Sequence, residues 1–137
     1  MSLVLDSSAT LAWIYSDEIT KAISEVFDLV VKSGAWVPVI WPLEVANGLQ
    51  SAVRQGRIKA GFRDLTLTDL ALLNIQIDDE TNNNAWSTIL KLAQKHDLTL
   101  YDAAYLELAQ RKSLPLASLD RDLRTAARAT HINLLGI

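Results

Sequence analysis

The sequence predicts an α/β protein, a three-layer α/β/α sandwich around a mostly parallel central sheet. Two observations predict it: short apolar runs alternate with longer segments of helical periodicity, and turn residues such as Gly34, Gly56 and Asn74 separate them. No repeat, low-complexity segment or linker divides the chain, so residues 1–137 are expected to form one domain. Half of the residues are hydrophobic, which is enough for a core without covalent cross-links.

The predicted strands are short apolar runs of the kind that a buried parallel sheet requires. Pro38 and Pro115 lie inside two of these runs, and proline is tolerated in a strand at an edge, at the start or at a bulge. In chain order the predicted strands cover residues 3–5, 36–40, 75–77, 114–119 and 132–135.

The predicted helices have apolar residues three or four positions apart, which places these side chains on one face. The D-S-S sequence at residues 6–8 supplies caps for the first helix, Gly34 ends the second, and Pro42 suits the first turn of the third. The fourth is predicted with a break near residues 65–68. In chain order the predicted helices cover residues 9–15, 19–32, 42–55, 58–73, 81–95, 99–112 and 120–129.

Composition limits the classes of function. The chain has no cysteine, which excludes disulfides and thiolate metal sites and agrees with a cytoplasmic location. The apolar runs are too short to cross a bilayer, and a strand that starts at residue 3 leaves no room for a signal peptide, so no membrane association is expected. The net charge of −3 would by itself argue against a nucleic-acid partner, but acids that bind a metal ion account for part of it.

Four carboxylates lie at the predicted beginnings of helices, and three of these helices follow a strand. Because the carboxyl ends of parallel strands meet at one edge of a sheet, we expect these side chains to converge there. Four acids in one place cannot all stay ionised without a cation. Oxygen ligands select Mg²⁺ or Mn²⁺ over zinc, and such an ion can activate water for attack on phosphorus. The four predicted metal ligands and catalytic residues are Asp6, Glu44, Asp102 and Asp120.

Each acid also has a structural interpretation. Asp6 and Asp120 suit N-caps, Glu44 would interact favourably with a helix dipole, and Asp102 follows Thr99 at the spacing of a capping box. The joint pattern favours a site, because Asp102 shares its helix face with apolar residues and burial of an unpaired carboxylate is costly. Asn47 shares the face of the Glu44 helix and is a possible accessory residue.

These motifs resemble those of PIN-domain nucleases, specifically the toxin ribonucleases of the VapC type, over nearly the whole chain. The most specific stretch is L-T-L-Y-D-A-A-Y-L-E-L-A around Asp102, and L-V-L-D-S-S, W-P-L-E-V-A-N and S-L-D-R-D-L contain the other three acids. The resemblance adds Ser7, beside the first acid, as an accessory residue. It adds Ser118, where the family often has threonine, and Asp122, which follows the last acid by two positions.

The resemblance implies Mg²⁺- or Mn²⁺-dependent endonucleolytic cleavage of RNA. It also implies a homodimer and a small cognate antitoxin protein that binds the toxin and blocks its site.

Two other functions stay open at the level of the sequence. A phospho-receiver signalling domain has a similar length and an acidic pocket, and Asp78 or Asp79 would be its phosphoacceptor. Against it, the first strand ends in D-S-S rather than in paired acids, and no lysine follows Lys112. A binding module with a structural cation is the second alternative.

Three surface features have both a functional and a structural interpretation. Two clusters of basic residues would contact phosphates beside the acids or lie on solvated helix faces. A group of leucines would bind a partner or pack in the core. One basic cluster is Arg121, Arg124 and Arg128, and the other is Arg54, Arg57, Lys59 and Arg63. The leucines are Leu65, Leu67, Leu70, Leu72 and Leu73.

Overall fold

The computed structural model describes residues 2–137, and these residues contain a parallel five-stranded sheet with helices on both faces. The predicted three-layer α/β/α sandwich is therefore confirmed, and the sheet is parallel throughout rather than mostly so. The strands are β1 (Leu3–Leu5), β2 (Ala35–Val37), β3 (Ile75–Ile77), β4 (Leu116–Ala117) and β5 (Leu134–Leu135). All five lie within the predicted runs or within one residue of them.

The helices also agree with the periodicity of the sequence. They are α1 (Ser7–Ala12), α2 (Lys21–Ser33), α3 (Trp41–Arg54), α4 (Ala60–Ala71), α5 (Thr81–Asn84), α6 (Leu90–His96), α7 (Leu100–Lys112) and α8 (Arg121–Ala129). A π-helical segment, Ala85–Ile89, joins α5 to α6, so the prediction of one helix over 81–95 is confirmed with a wider turn in its middle.

The order of the strands in the sheet, β3-β2-β1-β4-β5, positions the functional edge. The chain builds outward from β1 to β2 and β3, and then returns to the other side of β1 to add β4 and β5. In parallel sheets the crevice at such a reversal, beyond the carboxyl ends of the strands, is where ligands bind. Asp6 follows β1 and Asp120 follows β4, so this reversal places them side by side.

Helix α7 is the central element of the core. Its residues from Ala103 to Ala109 are all buried, and the helix packs on β1. Tyr105, Leu106 and Leu108 are fully buried there. Each buried leucine stabilises the fold by about 1.5–3 kcal/mol relative to an exposed one. This packing holds the first turn of α7, which contains Asp102, against the end of the central strand.

The helix predictions differ most from the structure at α1 and α4. Helix α1 spans 7–12 rather than 9–15, because Trp13 turns away and its indole N–H donates to the Ile23 carbonyl of α2 at 3.2 Å. Helix α4 has no break near 65–68. It contains no fully buried residue, although Leu67 and Leu70 pack against the core.

The leucines of the α4 region divide between the two interpretations. Leu65 and Leu72 are 60% and 81% exposed, whereas Leu67, Leu70 and Leu73 pack on the core. Among the described residues, no helix has the length and apolar character that crossing a membrane requires. The predicted cytoplasmic location stays a prediction.

Candidate metal centre

Asp6 is the most deeply buried of the four predicted acids. Its backbone N–H donates to the carbonyl of Ala117 at 3.0 Å, which extends the pairing of β1 with β4 by one residue. The residue is 2% exposed. One carboxylate oxygen, Oδ2, accepts hydrogen bonds from the hydroxyls of Ser8 at 2.6 Å and Ser118 at 2.7 Å. The pairing of the two central strands thus fixes both the backbone and the side chain of Asp6.

The environment of Asp6 disfavours its charge. Burial raises its pKa most, the hydrogen bonds from Ser8 and Ser118 lower it, and the carboxylate of Asp120 raises it further; the net effect is an increase. Two neutral hydroxyls therefore compensate only part of the cost of burying this carboxylate. A bound cation would supply the rest.

Asp120 combines a structural and a site role. It is the N-cap of α8, and its Oδ1 accepts from the backbone N–H of Leu123 at 2.9 Å, so the capping interpretation is confirmed. Its own N–H donates to the hydroxyl of Ser118 at 3.0 Å. The same carboxylate raises the pKa of both Asp6 and Asp102, which indicates that it lies near both of them.

Glu44 lies in the first turn of α3 and is partly buried. The hydroxyl of Tyr105, which is fully buried, donates to its Oε1 at 2.5 Å. Burial raises the pKa of Glu44, the Tyr105 hydrogen bond lowers it, Asp6 raises it and the Ser7 hydroxyl lowers it, with a net increase. Tyr105 therefore holds this acid toward Asp6 from inside the core.

Asp102 lies in the first turn of α7, where its backbone N–H donates to the N-cap hydroxyl of Thr99 at 3.1 Å. Burial, followed by the carboxylates of Asp120, Asp6 and Glu44, raises the pKa of Asp102 to about 6. The hydrogen bond from Thr99 opposes this increase in part. Asp102 thus responds to all three of the other predicted acids, as a side chain at the centre of the group would.

A second acidic group shows what a paired carboxylate looks like in this protein. Asp78 is 2% exposed, and Arg111 donates to its Oδ2 at 2.6 Å. Burial raises the pKa of Asp78, but the hydrogen bonds from Arg111 and Thr81 outweigh burial and lower it. Arg111 also binds Glu107 at 2.8 Å. A guanidinium that occupies Asp78 argues against the phosphoacceptor role of the receiver alternative.

The groups that shift the pKa of Asp6, Glu44 and Asp102 are hydroxyls, backbone amides and other carboxylates. Such a set fits a hard divalent cation. Among residues 2–137, no three of the four predicted acids place oxygens within 4.8 Å of one another; Asp78, Asp79 and Glu80 do. Water ligands would therefore have to link some of the predicted acids to an ion, and Mg²⁺ in proteins usually keeps several waters.

The structure brings together two of the four predicted accessory residues. Ser118 contacts Asp6, as described, and the hydroxyl of Ser7 lowers the pKa of Glu44. Asn47 and Asp122 are exposed and do not affect the pKa of Asp6, Glu44 or Asp102. Asp122 instead lines a cavity of about 190 Å³ between α6 and α8.

Sequence reasoning missed two residues of this centre. Ser8 contacts the Asp6 carboxylate more closely than the predicted Ser7 does, at 2.6 Å against 3.5 Å. Tyr105 belongs to the helix face that the sequence analysis predicts to be apolar beside Asp102, although its hydroxyl donates to Glu44. The D-S-S sequence contained a signal for Ser8, since either serine can reach the preceding acid. A tyrosine one turn after Asp102 gave no such signal.

The basic clusters lie elsewhere or have structural partners. Arg57 donates to Asp17 and Glu18 at 2.8 and 2.7 Å, and Arg54 lies in the last turn of α3, about 15 Å along the helix from Glu44. Arg124 donates to the backbone carbonyls at the ends of β4 and β5. The structure therefore does not support phosphate contacts beside the acids by Arg54, Arg57 or Arg124.

Comparisons with known proteins agree with this geometry. The family model described as PIN domain matches residues 3–129. Ribonuclease VapC3 from Pyrobaculum aerophilum is 32% identical over 132 residues, which cover 90% of this chain and 92% of that protein. The receiver alternative has no support from these matches.

Solved structures show the same fold at lower identity. PAE2754 from Pyrobaculum aerophilum has a TM-score of 0.67 and 23% identity, and the match covers 92% of this chain and 87% of that one. FitAcB from Neisseria gonorrhoeae has a TM-score of 0.66, 16% identity and coverage of 98% and 96%. The structure of VapBC2 from Rickettsia felis, bound to a DNA fragment from its promoter, has a TM-score of 0.63 and 15% identity, and the match covers 98% of this chain and 97% of that one. The chain belongs to the PIN domain family.

Proposed function

We propose that this protein is a Mg²⁺- or Mn²⁺-dependent endoribonuclease and the toxin of a toxin–antitoxin pair. The observation that carries the proposal is the electrostatic influence among four acids near the carboxyl edge of the sheet. The carboxylate of Asp120 raises the pKa of Asp6, that of Asp6 raises the pKa of Glu44, and all three raise the pKa of Asp102, while no cation among the described residues contributes to these shifts. The relationship to Ribonuclease VapC3 supports RNA as the substrate.

In this proposal the side chains have separate tasks. Asp6, Asp102 and Asp120 hold the cation, and Glu44 binds it directly or through water. When bound, a divalent cation of this kind lowers the pKa of a coordinated water and offsets charge on phosphate oxygens. Ser118 fixes the orientation of Asp6, and Tyr105 fixes that of Glu44.

The test is cleavage of single-stranded RNA by the purified chain, with and without Mn²⁺. Asp6→Asn is expected to keep the fold and to lose at least a hundredfold in rate, because it removes a buried metal ligand. Asp79→Asn is the matched control, since it removes an exposed acid outside the centre. Equal RNA decay with Asp6→Asn and the unaltered protein would indicate contamination and contradict the proposal. Mn²⁺ binding without cleavage would favour the binding module with a structural cation.

We also propose that the cognate antitoxin places an apolar helix between α2 and α4. A cavity of about 280 Å³ lies there, with Trp13 and Phe27 in edge-to-face contact at 5.2 Å and the exposed Leu65 on its rim. Exposed apolar surfaces of this kind mark partner sites. The test is co-expression with the cognate antitoxin. Leu65→Glu should prevent co-purification, whereas Asp102→Asn should not; retention by Leu65→Glu would contradict this site.

A homodimer is the third part of the proposal. Trp86 is 92% exposed and Leu90, one turn later, is 48% exposed, so an apolar surface faces outward from the π-helical segment. Sedimentation analysis should show a dimer that Trp86→Glu converts to a monomer. Leu72→Glu is the control, because it alters another strongly exposed apolar residue, at the C-terminal end of α4. A monomeric unaltered protein would refute self-association.

A further inference from the structure

We propose that Ser8 is a positioning residue that connects the Asp6 carboxylate to the backbone before Asp120 and thereby sets the affinity of the centre for its cation. The inference rests on the proposed function, since it assigns a role within that same site. Ser8 touches neither the cation nor the substrate in this proposal, and it acts through Asp6.

The hydroxyl of Ser8 is fully committed to this connection. Its proton goes to Oδ2 of Asp6 at 2.6 Å, and its oxygen accepts from the backbone N–H of Leu119 at 3.0 Å. Each of the two serine hydroxyls has one proton, and both protons go to Oδ2 of Asp6, so the 3.5 Å approach between the hydroxyls of Ser8 and Ser118 is a contact and not a further bond. Leu119 lies 111 residues away in the chain, which makes this a tertiary link.

Ser8 and Ser118 act in parallel. The N–H of Leu119 reaches Asp6 through the hydroxyl of Ser8, and the next N–H, that of Asp120, reaches the same Oδ2 through the hydroxyl of Ser118. Two consecutive backbone amides thus bind one carboxylate oxygen through two separate hydroxyls. A single link would allow rotation about that link, whereas two fix the register of the segment that contains Asp120.

A purely local role for Ser8 does not account for these bonds. A serine in the first turn of a helix usually satisfies a backbone N–H of its own helix. Ser8 instead accepts from the β4–α8 connection, and the N-cap position of α1 belongs to Asp6, whose side chain makes no capping bond. The geometry therefore couples two of the predicted metal ligands to each other.

The arrangement also determines which oxygen of Asp6 faces the cation. Oδ2 accepts two short hydrogen bonds, whereas Oδ1 has a long contact of 3.5 Å with the hydroxyl of Ser7. Oδ1 is thus the more weakly hydrogen-bonded oxygen, and in this proposal it is the oxygen that binds the metal ion. Without the Ser8 hydroxyl, the carboxylate of Asp6 loses one of its two short hydrogen bonds and can rotate. The backbone N–H of Leu119 also loses its acceptor.

The experiment measures Mn²⁺ affinity by titration calorimetry on the full chain. Ser8→Ala is expected to weaken Mn²⁺ binding about 10- to 100-fold, as is typical when a hydrogen-bond partner of a metal ligand is removed. Ser8→Thr retains the hydroxyl and should restore affinity to within about threefold. Ser8→Cys keeps the approximate size with a weak donor, and should weaken binding as well even if the alanine variant fails to fold.

Thr10→Val is the matched control. The hydroxyl of Thr10 lies in the same helix and binds the backbone carbonyl of Asp6 and the indole of Trp41, but it does not touch the carboxylate. This variant should lower the melting temperature and leave Mn²⁺ affinity unchanged.

The outcomes separate the two proposals. If the unaltered protein binds Mn²⁺ and Ser8→Ala binds it equally well, the role of Ser8 is refuted and the proposed function stands. The same holds if Ser8→Thr fails to restore binding, or if Thr10→Val weakens it as much. An unaltered protein that binds no Mn²⁺ refutes both.

Discussion

The substitution Asp102→Asn is expected to stabilise the metal-free protein near neutral pH. The pKa of Asp102 rises from 3.8 to about 6 in the folded chain, mainly through burial and then through the carboxylates of Asp120, Asp6 and Glu44. At about 1.36 kcal/mol per pKa unit, the ionised side chain costs the folded state about 3 kcal/mol. Since Asp102 is partly exposed, solvent screening reduces this cost by about half, to about 1.5 kcal/mol.

The sign of the pH dependence follows from the raised pKa. Between about pH 4 and pH 6 the folded chain binds more protons at Asp102 than the unfolded chain does, so its contribution to stability is present below pH 4 and lost as the pH rises through 6. Asparagine carries no charge at either pH. The variant should therefore melt above the unaltered protein at pH 8 and close to it at pH 4.

For a domain of this size, 1.5 kcal/mol corresponds to an increase in Tm of about 5 °C. The assay is differential scanning fluorimetry in a chelator at pH 8 and at pH 4. Added Mn²⁺ should raise the Tm of the unaltered protein and change that of the variant less, because one ligand is missing. Asp79→Asn, an exposed acid outside the centre, should shift the Tm by about 1 °C or less.

A Tm for Asp102→Asn below that of the unaltered protein, at pH 8 in chelator, would refute this reasoning. It would mean that the carboxylate of Asp102 makes a stabilising contact in the metal-free fold and is a structural residue rather than a strained ligand.

Three further substitutions test other contacts. Tyr105→Phe removes the hydroxyl that binds Glu44 and so raises the pKa of Glu44 further; calorimetry should show Mn²⁺ binding weakened about tenfold in a folded protein, and unchanged affinity would contradict the role of Tyr105. Arg111→Met leaves the buried carboxylate of Asp78 unpaired and should reduce the free energy of unfolding in urea by about 3 kcal/mol; a change under 1 kcal/mol would count against the ion pair. Gly34→Ala should destabilise by at least about 1 kcal/mol, because φ is +75° and a Cβ would lie 2.9 Å from a backbone oxygen; an equal midpoint in urea would contradict this.

Much of the fold was predictable from local patterns. Residues 3–5 and 75–77 were predicted as strands with the observed bounds, and Gly34 ends α2 as expected. The parallel arrangement followed from the alternation of strands and helices, because a parallel connection needs a crossover. Because the carboxyl ends of parallel strands lie at one edge of the sheet, the sequence also predicts that Asp6 and Asp120 lie at that edge.

The contacts that organise the site were not predictable. Ser8 accepts from a backbone amide 111 residues away, and Tyr105 donates to an acid 61 residues away. No periodicity reports such distances. The receiver alternative depended on Asp78 or Asp79, and the side chain that argues against Asp78, Arg111, is separated from it by 33 residues.

The sequence by itself determined the elements, their order and the edge at which the acids meet, because side-chain periodicity and strand polarity are local properties of the chain. The tertiary structure decided which oxygen of Asp6 accepts the two short hydrogen bonds. It also decided that the Asp6 carboxylate is buried beside another acid, which raises its pKa. Hydrogen bonds and burial depend on distances of a few tenths of an ångström between distant residues, and packing of the whole core is what fixes those distances.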